Sequence, residues 1–600
     1  KFKNIIKKRV VSFTLIGYYY TNTNMSGLKS QGNLRIFILL FLVTLIFYLP
    51  IIFHPSVLLN RGNDLQEQFW PIFYLIHQYF WQIQTLPLWN NLWFSGMPLL
   101  PDPQFSLFYP GNFFFYLFQT DLGFILYFLL HTFIGGAGAY LAAKYGLRLK
   151  EKSSIFAGVL YILVPRISGY LEAGHFGLVG SLAWPPFVLL AIIQLVREPK
   201  IRWTILLAVS LAGLFFTHTV NFLVLLISSF VIFLITLQNS KQNSTKLFLF
   251  IVSLCLTFGL TAITLLPQLQ WLPKTTRSLL LNDSVVYPEW TGILEFIKNI
   301  FIPEIGGVEN LQNIDTEKWL AVGLFPSFLA LIGFIYLSKR FKIWTIIFLT
   351  VLVLIALNNA SPIYSLLLSQ DWYILSRVST RVWIVISILV VFLASFGIDK
   401  LSNNSSKKNL AWLLIFLSIV ESLTISWLRL TKPIPTRMGL APEEVYQFLA
   451  SDKSLFRVFC VTRCLSQKKA AIYNLQLTEG YNTIQQKNYF DEFTQLSQVY
   501  WNKYTLSLPP FEILKFREIQ PFSPDLADYN IKYVISPYPL KDKNLKLRIS
   551  GSYLIYENTI VKSRAFFSNG SRAPILNYSP NFIRVDTKDH PSLEFTLSEV

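Results

Sequence analysis

The sequence predicts a polytopic α-helical membrane protein of about eleven spans, followed by an α+β domain outside the membrane. Three observations carry this. Hydrophobic residues fill 53% of the 600 positions and charged residues only 14%, with a mean hydropathy of +0.45; soluble domains carry roughly 25% charged residues. Apolar runs recur that reach or approach the ~20 residues needed to cross a bilayer. The charges of the intervening loops alternate, as they do in a chain threaded back and forth.

The predicted spans lie at about 34–53, 122–143, 154–170, 178–196, 203–217, 220–237, 247–266, 319–338, 343–357, 382–398 and 410–428. The apolar stretch 203–237 is too long for one span, and Thr217, His218 and Thr219 in its middle mark a reversal. Even-numbered loops carry bases such as Lys144, Arg148 and Lys150, then Arg197, Lys200 and Arg202, then Lys339, Arg340 and Lys342. Odd-numbered loops carry acids such as Asp64, Glu67, Asp102 and Asp121, then Glu172. The positive-inside rule then puts the basic tail 1–33 in the cytoplasm and residues 429–600 outside a multi-pass cell membrane protein. No signal-peptide cleavage pattern precedes the first span, and Met25 is a candidate natural start.

After residue 428 the composition turns mixed and polar. Alternating runs at 532–536, 545–556, 581–585 and 592–597 read as strands, and 441–450 reads as a helix start. Ending in strand-like sequence, the domain reads as one that is cut short. Three cysteines exclude a disulfide-dense scaffold; Cys460 and Cys464, four apart, leave a local disulfide open. The net charge of +19 sits in short loops, where cytoplasmic retention and anionic headgroups account for it without nucleic acid.

Candidate chemistry sits in the outer loops. The first, 54–121, is long and aromatic. Phe69, Phe73, Ile76 and Phe80 share a helical face there, which reads as a helix lying along the membrane surface. Asp64 either caps that helix or serves as a general base or metal-binding carboxylate at the lipid–water boundary. Asp102, between Pro101 and Pro103, is either a turn residue or a second acid sharing an acceptor or a divalent cation such as Mg or Mn. The second outer loop offers Arg166, Glu172 and His175. Arg166 either snorkels or joins the site, and His175 is either a surface residue or a supporting one. His218 either hydrogen-bonds within the bundle or supports the site. Arg377 and Arg381 break the charge alternation; on one helical face they would bind a phosphate, or else pair with Asp371 or lipid headgroups.

These residues resemble the YfhO-like bacterial membrane proteins of the GT-C glycosyltransferase type. The resemblance rests on GNDLQEQFWP, with Asp64 and Gln68, and on LPLWNNLWFSGMPLLPDPQFSLFYPGNFFF. It is extended by LAWPPFVLLAI (182–192), SRVSTRVWIV (376–385), DYNIKYVISPYPL (528–540) and YENTIVKSRAFF (556–567). It implies transfer of a sugar from a polyprenyl-phosphate donor to an acceptor in the cell envelope, be it polymer, glycolipid or protein. It implies Asp64 as the catalytic or metal-linked acid, Asp102 as a second acid, and Arg377 and Arg381 on the lipid phosphate. Two departures stand out: Thr217 and Thr219 flank His218 where relatives carry Gly-His-Pro, and Asn63 separates Gly62 from Asp64. A transporter or flippase of lipid-linked saccharides, and a non-catalytic envelope scaffold, are the alternatives.

Overall fold

The computed structural model describes residues 31–237, 242–283, 285–301, 315–434, 440–498, 518–588 and 594–599. The basic tail up to residue 30, Met25 and the start of the strand predicted at 592–597 lie outside these. Helical backbone covers most of each predicted span, though only Leu324–Ile335 of 319–338, and it is interrupted between Ile162 and Arg166 and between Ser181 and Pro185. Each of these two breaks precedes a proline at or next to the restart, where the missing N–H costs nothing. Seven helices are long and apolar enough to cross a membrane by length and composition. The apolar helices Asn33–Phe47, Ile201–Thr217 and Leu324–Ile335 are shorter. Among the described residues, length and composition thus support about seven of the eleven expected spans, in a multi-pass membrane protein.

The bundle packs through small residues. A Cβ on Gly333 would lie 2.0 Å from Leu393 O, and one on Gly397 would lie 2.4 Å from Leu329 O. Helices 324–335 and 383–402 can therefore touch backbone to backbone, the usual way apolar helices associate without water to drive them. The outer face of Asn243–Trp271 shows the opposite character. Phe248, Ile251, Leu260, Leu266 and Leu269 are all exposed, a continuous apolar surface suited to lipid.

The helical apolar face of the first long loop, 54–121, expected to meet lipid, packs inside the protein. Phe73 is fully buried and stacks on Phe115 at 4.0 Å between ring centroids, with Phe105, Phe124 and Phe176 around it. The apolar face of Trp70–Ile83 is a protein core, so periodicity identified the face but not its partner.

The C-terminal region forms a five-stranded mixed sheet, in the order Gln476–Leu477, Arg457–Cys460, Ile531–Ser536, Leu554–Asn558, Leu545–Ile549. The first three strands run parallel and the last two antiparallel. The edge strand docks on the first outer loop. Leu477 N donates to Leu92 O at 2.8 Å, Ser95 N to Leu477 O at 3.3 Å, and Arg457 Nη2 to Ser95 O at 2.7 Å. Glu67, buried, accepts from Ser466 Oγ and Gln467 N at 3.1 and 2.9 Å. The loop is therefore the platform on which the domain rests. Cys460 and Cys464 are both free and buried, so the local disulfide does not form.

Candidate functional site

Between this platform and the membrane helices lies a cavity of about 1070 Å³. The first loop contributes Asp64, Gln68 and Gln104, the second His175, and the reversal at 217–219 His218. Arg377 and Arg381 come from the segment before the helix Trp383–Ser402, and Tyr481 and Thr483 from the C-terminal domain.

Asp64 does not cap its helix. Its backbone is already helical (φ −55°, ψ −36°) and its side chain makes no capping bond. Oδ1 instead accepts from the Tyr481 hydroxyl at 2.9 Å, and Oδ2 lies 3.6 Å from His175 Nε2. Burial lowers the His175 pKa below its ordinary value; Glu317 opposes this and Arg381 adds to it. The imidazole beside Asp64 is thus biased towards its neutral form. Gly174 sets this contact. It closes the helix Arg166–Ala173 at φ +76°, and a Cβ there would lie 2.4 Å from Leu65 N. Asn63 Nδ2 also donates to Glu172 O at 2.8 Å, tying the two loops together. Gly174→Ala should therefore push Asp64 away from His175. We expect a loss of activity of about tenfold or more, with about 1–2 kcal/mol of stability lost to the left-handed backbone. Paired turnover and unfolding measurements check this; unchanged turnover would contradict it.

The second acid is in another position. Asp102 is fully buried behind the cavity wall. Its Oδ1 accepts from Gln104 N and its Oδ2 from Asn482 Nδ2, both at 2.9 Å. Gln68 Nε2 in turn donates to Asn482 Oδ1 at 2.7 Å. Asp102 thus anchors the amides that line the cavity, and its expected role as an acid shared with Asp64 is corrected. Burial raises its pKa to about 6, against the pull of the Gln104 and Asn482 bonds. The unfolded value is near 3.8, so the folded chain binds this proton more tightly. The stability this gives is fully present below about pH 4 and is lost as pH rises through about 6. Asp102→Asn should flatten that pH dependence, by an amount on the order of 2 kcal/mol. Unfolding midpoints between pH 4 and 7 that fall equally in both proteins would refute this.

Arg377 and Arg381 both line the cavity, but not by sharing a helix. Arg377 ends the short helix Asp371–Ser376 at φ +63°, and Arg381 sits in the 3-10 turn Ser379–Val382. A turn, not an i,i+4 spacing, brings them together. Arg381 Nη2 pairs with Glu317 Oε1 at 2.7 Å, while its Nη1 is buried without a hydrogen-bond partner in the protein. Burial pushes the Glu317 pKa up, but Arg381 and the neighbouring cations outweigh it and hold the carboxyl below its usual range. His218 Nδ1 accepts from Asn221 N at 3.1 Å, so a neutral ring carries its proton on Nε2.

Two expected site residues are structural. Arg166 is buried and neither snorkels nor lines this cavity: Nε donates to the Tyr170 hydroxyl at 2.7 Å, and its Nη groups donate to the carbonyls of Trp319 and Thr380. Glu172 pairs with Arg429 at 2.9 Å and Lys432 at 3.2 Å, beneath the exit of the last membrane helix. Among the described residues no three His, Cys, Asp or Glu side chains are placed to hold a metal ion. Asp102, buried behind the wall, does not line the cavity with Asp64.

Tyr481, Glu317, Arg277 and Lys318 line the cavity without having been singled out from sequence. For Glu317 and Lys318 a signal existed, as charges directly before an apolar span.

The fold resembles that of a solved mycobacterial arabinofuranosyltransferase. A cryo-EM structure of the arabinofuranosyltransferase AftD from mycobacteria matches with a TM-score of 0.52 at 13% identity, over 90% of this chain and 42% of that one. The chain thus spans less than half the length of that protein, and identity this low speaks to fold alone. Crystal structures of ArnT from Cupriavidus metallidurans, apo and bound to undecaprenyl phosphate, give TM-scores of 0.45 and 0.43 at 11% and 10% identity, each over 88% of this chain and 98% of that one. Scores of that size do not establish a common fold. No family model and no curated protein matches the chain, so the YfhO-like assignment gains no support.

Proposed function

We propose that the chain is a membrane glycosyltransferase. It moves a sugar from a polyprenyl-phosphate-linked donor to a cell-envelope acceptor on the outer face of the membrane. The observation that carries this reading is the convergence of Asp64 with Arg377 and Arg381 on one cavity roofed by the C-terminal domain. The loop charges favour the outer face for that cavity.

In this reading the acceptor hydroxyl attacks the anomeric carbon of the donor with inversion. The new C–O bond forms as the bond to the phosphate oxygen breaks. The hydroxyl proton passes to Asp64. The leaving phosphate takes the electron pair, and its charge is met by Arg377 and Arg381, whose planar guanidiniums suit phosphate oxygens. Charge stabilisation of this kind is usually the largest catalytic contribution. His175, kept neutral, leaves Asp64 free to take the proton. Gln68, Gln104 and Thr483 offer amide and hydroxyl groups of the kind that recognise sugar hydroxyls.

Mass spectrometry of envelope glycans from cells with the active protein and with Asp64→Asn tests this and identifies both substrates. We expect one glycan modification to disappear in the variant. An identical glycan profile, with both proteins expressed equally, would refute the reading.

A further inference from the structure

Two acids of the first long loop are held by consecutive residues of the C-terminal domain: Tyr481 on Asp64 and Asn482 on Asp102. The segment 480–484 follows directly from the edge strand that docks on that loop, so its position is set by backbone pairing to Leu92–Ser95. Gly480 packs against Trp93 and Phe94, where a Cβ would lie 2.9 Å from Trp93 Cβ. Tyr481 thus enters the cavity from a rigid base. We propose that Tyr481 is a positioning residue through which the C-terminal domain orients the Asp64 carboxylate. This rests on the glycosyltransferase reading of Asp64 given above.

The geometry divides the two carboxylate oxygens. Oδ1 is taken by the Tyr481 hydroxyl at 2.9 Å, and Oδ2 is left beside His175 at 3.6 Å, too far for a hydrogen bond. Oδ2 is therefore the oxygen open to an incoming hydroxyl. The phenol is a constant donor: the Asp64 charge first, and burial second, raise its pKa well above the ordinary value. The Arg463 guanidinium lies over the ring at 5.8 Å and helps fix it. The charged and titratable groups facing this pair are His175 and Glu317 from the membrane domain, Arg377 and Arg381 from the segment before its late helix, and Arg463 from the C-terminal domain. A donor to the ionised carboxylate favours that form. Losing it should leave Asp64 a less well-oriented base.

The test uses the full chain in lipid nanodiscs. Transfer of radiolabelled sugar from polyprenyl-phosphate donors into membrane acceptors is followed between pH 5 and 9 for the native protein, Asp64→Asn and Tyr481→Phe. In parallel, infrared spectra of protein labelled with ¹³C-aspartate, taken as differences against Asp64→Asn, report the Asp64 carboxylate without any turnover. Tyr481→Phe keeps the ring and its packing. We expect kcat to fall about tenfold and the donor KM to stay within about twofold. The Asp64 carboxylate band should shift on losing the hydroxyl. A purely structural role would not move that band. If Asp64→Asn abolishes transfer while Tyr481→Phe leaves rate and band unchanged, the positioning role is overturned. If Asp64→Asn transfers sugar like the native protein, the catalytic role of Asp64 falls instead; if the native protein transfers none, the glycosyltransferase reading falls; in either case the infrared band still decides whether Tyr481 holds Asp64.

Discussion

Asp64→Asn should reduce sugar transfer by about 10²- to 10⁴-fold, the range that a well-placed general base contributes. The substitution is close to isosteric. The amide oxygen can still accept from Tyr481, so the contact with the C-terminal domain survives. The amide cannot take up the acceptor's proton. Expression, unfolding midpoint and donor binding should therefore match the native protein while turnover collapses. Turnover within about twofold of native would remove Asp64 from the reaction. A parallel loss of stability would instead make it a structural residue.

The second large effect is on stability. Glu172 is joined to both Arg429 and Lys432. It also accepts from Thr316 Oγ1. Arg429 is almost fully buried. Nearby Arg61 donates to the carbonyls of Leu430 and Lys432, at 2.9 and 2.6 Å. The chain leaves the last membrane helix here and enters the C-terminal domain. Removing one partner of a buried pair leaves the other charge uncompensated, which costs about 3–5 kcal/mol. We expect Glu172→Ala to lose that much, read by unfolding in mixed micelles at increasing SDS fraction. Glu172→Gln, which keeps hydrogen bonds but not charge, should fall between the two. A loss under about 1 kcal/mol would show that water or rearrangement satisfies Arg429.

What the sequence made legible follows from how local each signal is. Apolar runs are local, and helical backbone covers most of each span they mark, although among the described residues length and composition support crossing for about seven. Asp64 was legible as a polar residue just after an apolar span. Arg377 and Arg381 were legible because they violate the charge alternation, although the helix invoked to join them is absent. Partners were not legible. Nothing near Arg166 or Glu172 in sequence announces Trp319, Thr380, Arg429 or Lys432, so structural ion pairs and saturated donors looked like site residues. The same distance hid Tyr481, whose neighbours Gly480 and Asn482 suggest only a turn. Asp102 carried a local signal, its two prolines, but its burial is imposed by Asn482.

The hydrogen bond between Tyr481 and Asp64 joins positions 417 residues apart. At roughly 5–20 residues per second, a ribosome needs some 20–80 s to travel from one to the other. During that interval the first outer loop is already made, and the segment that completes the cavity is not. The growing chain can thus thread the membrane with its carboxylate in place yet without its Tyr481 partner. The cavity is completed late in synthesis, with the docking of the C-terminal sheet.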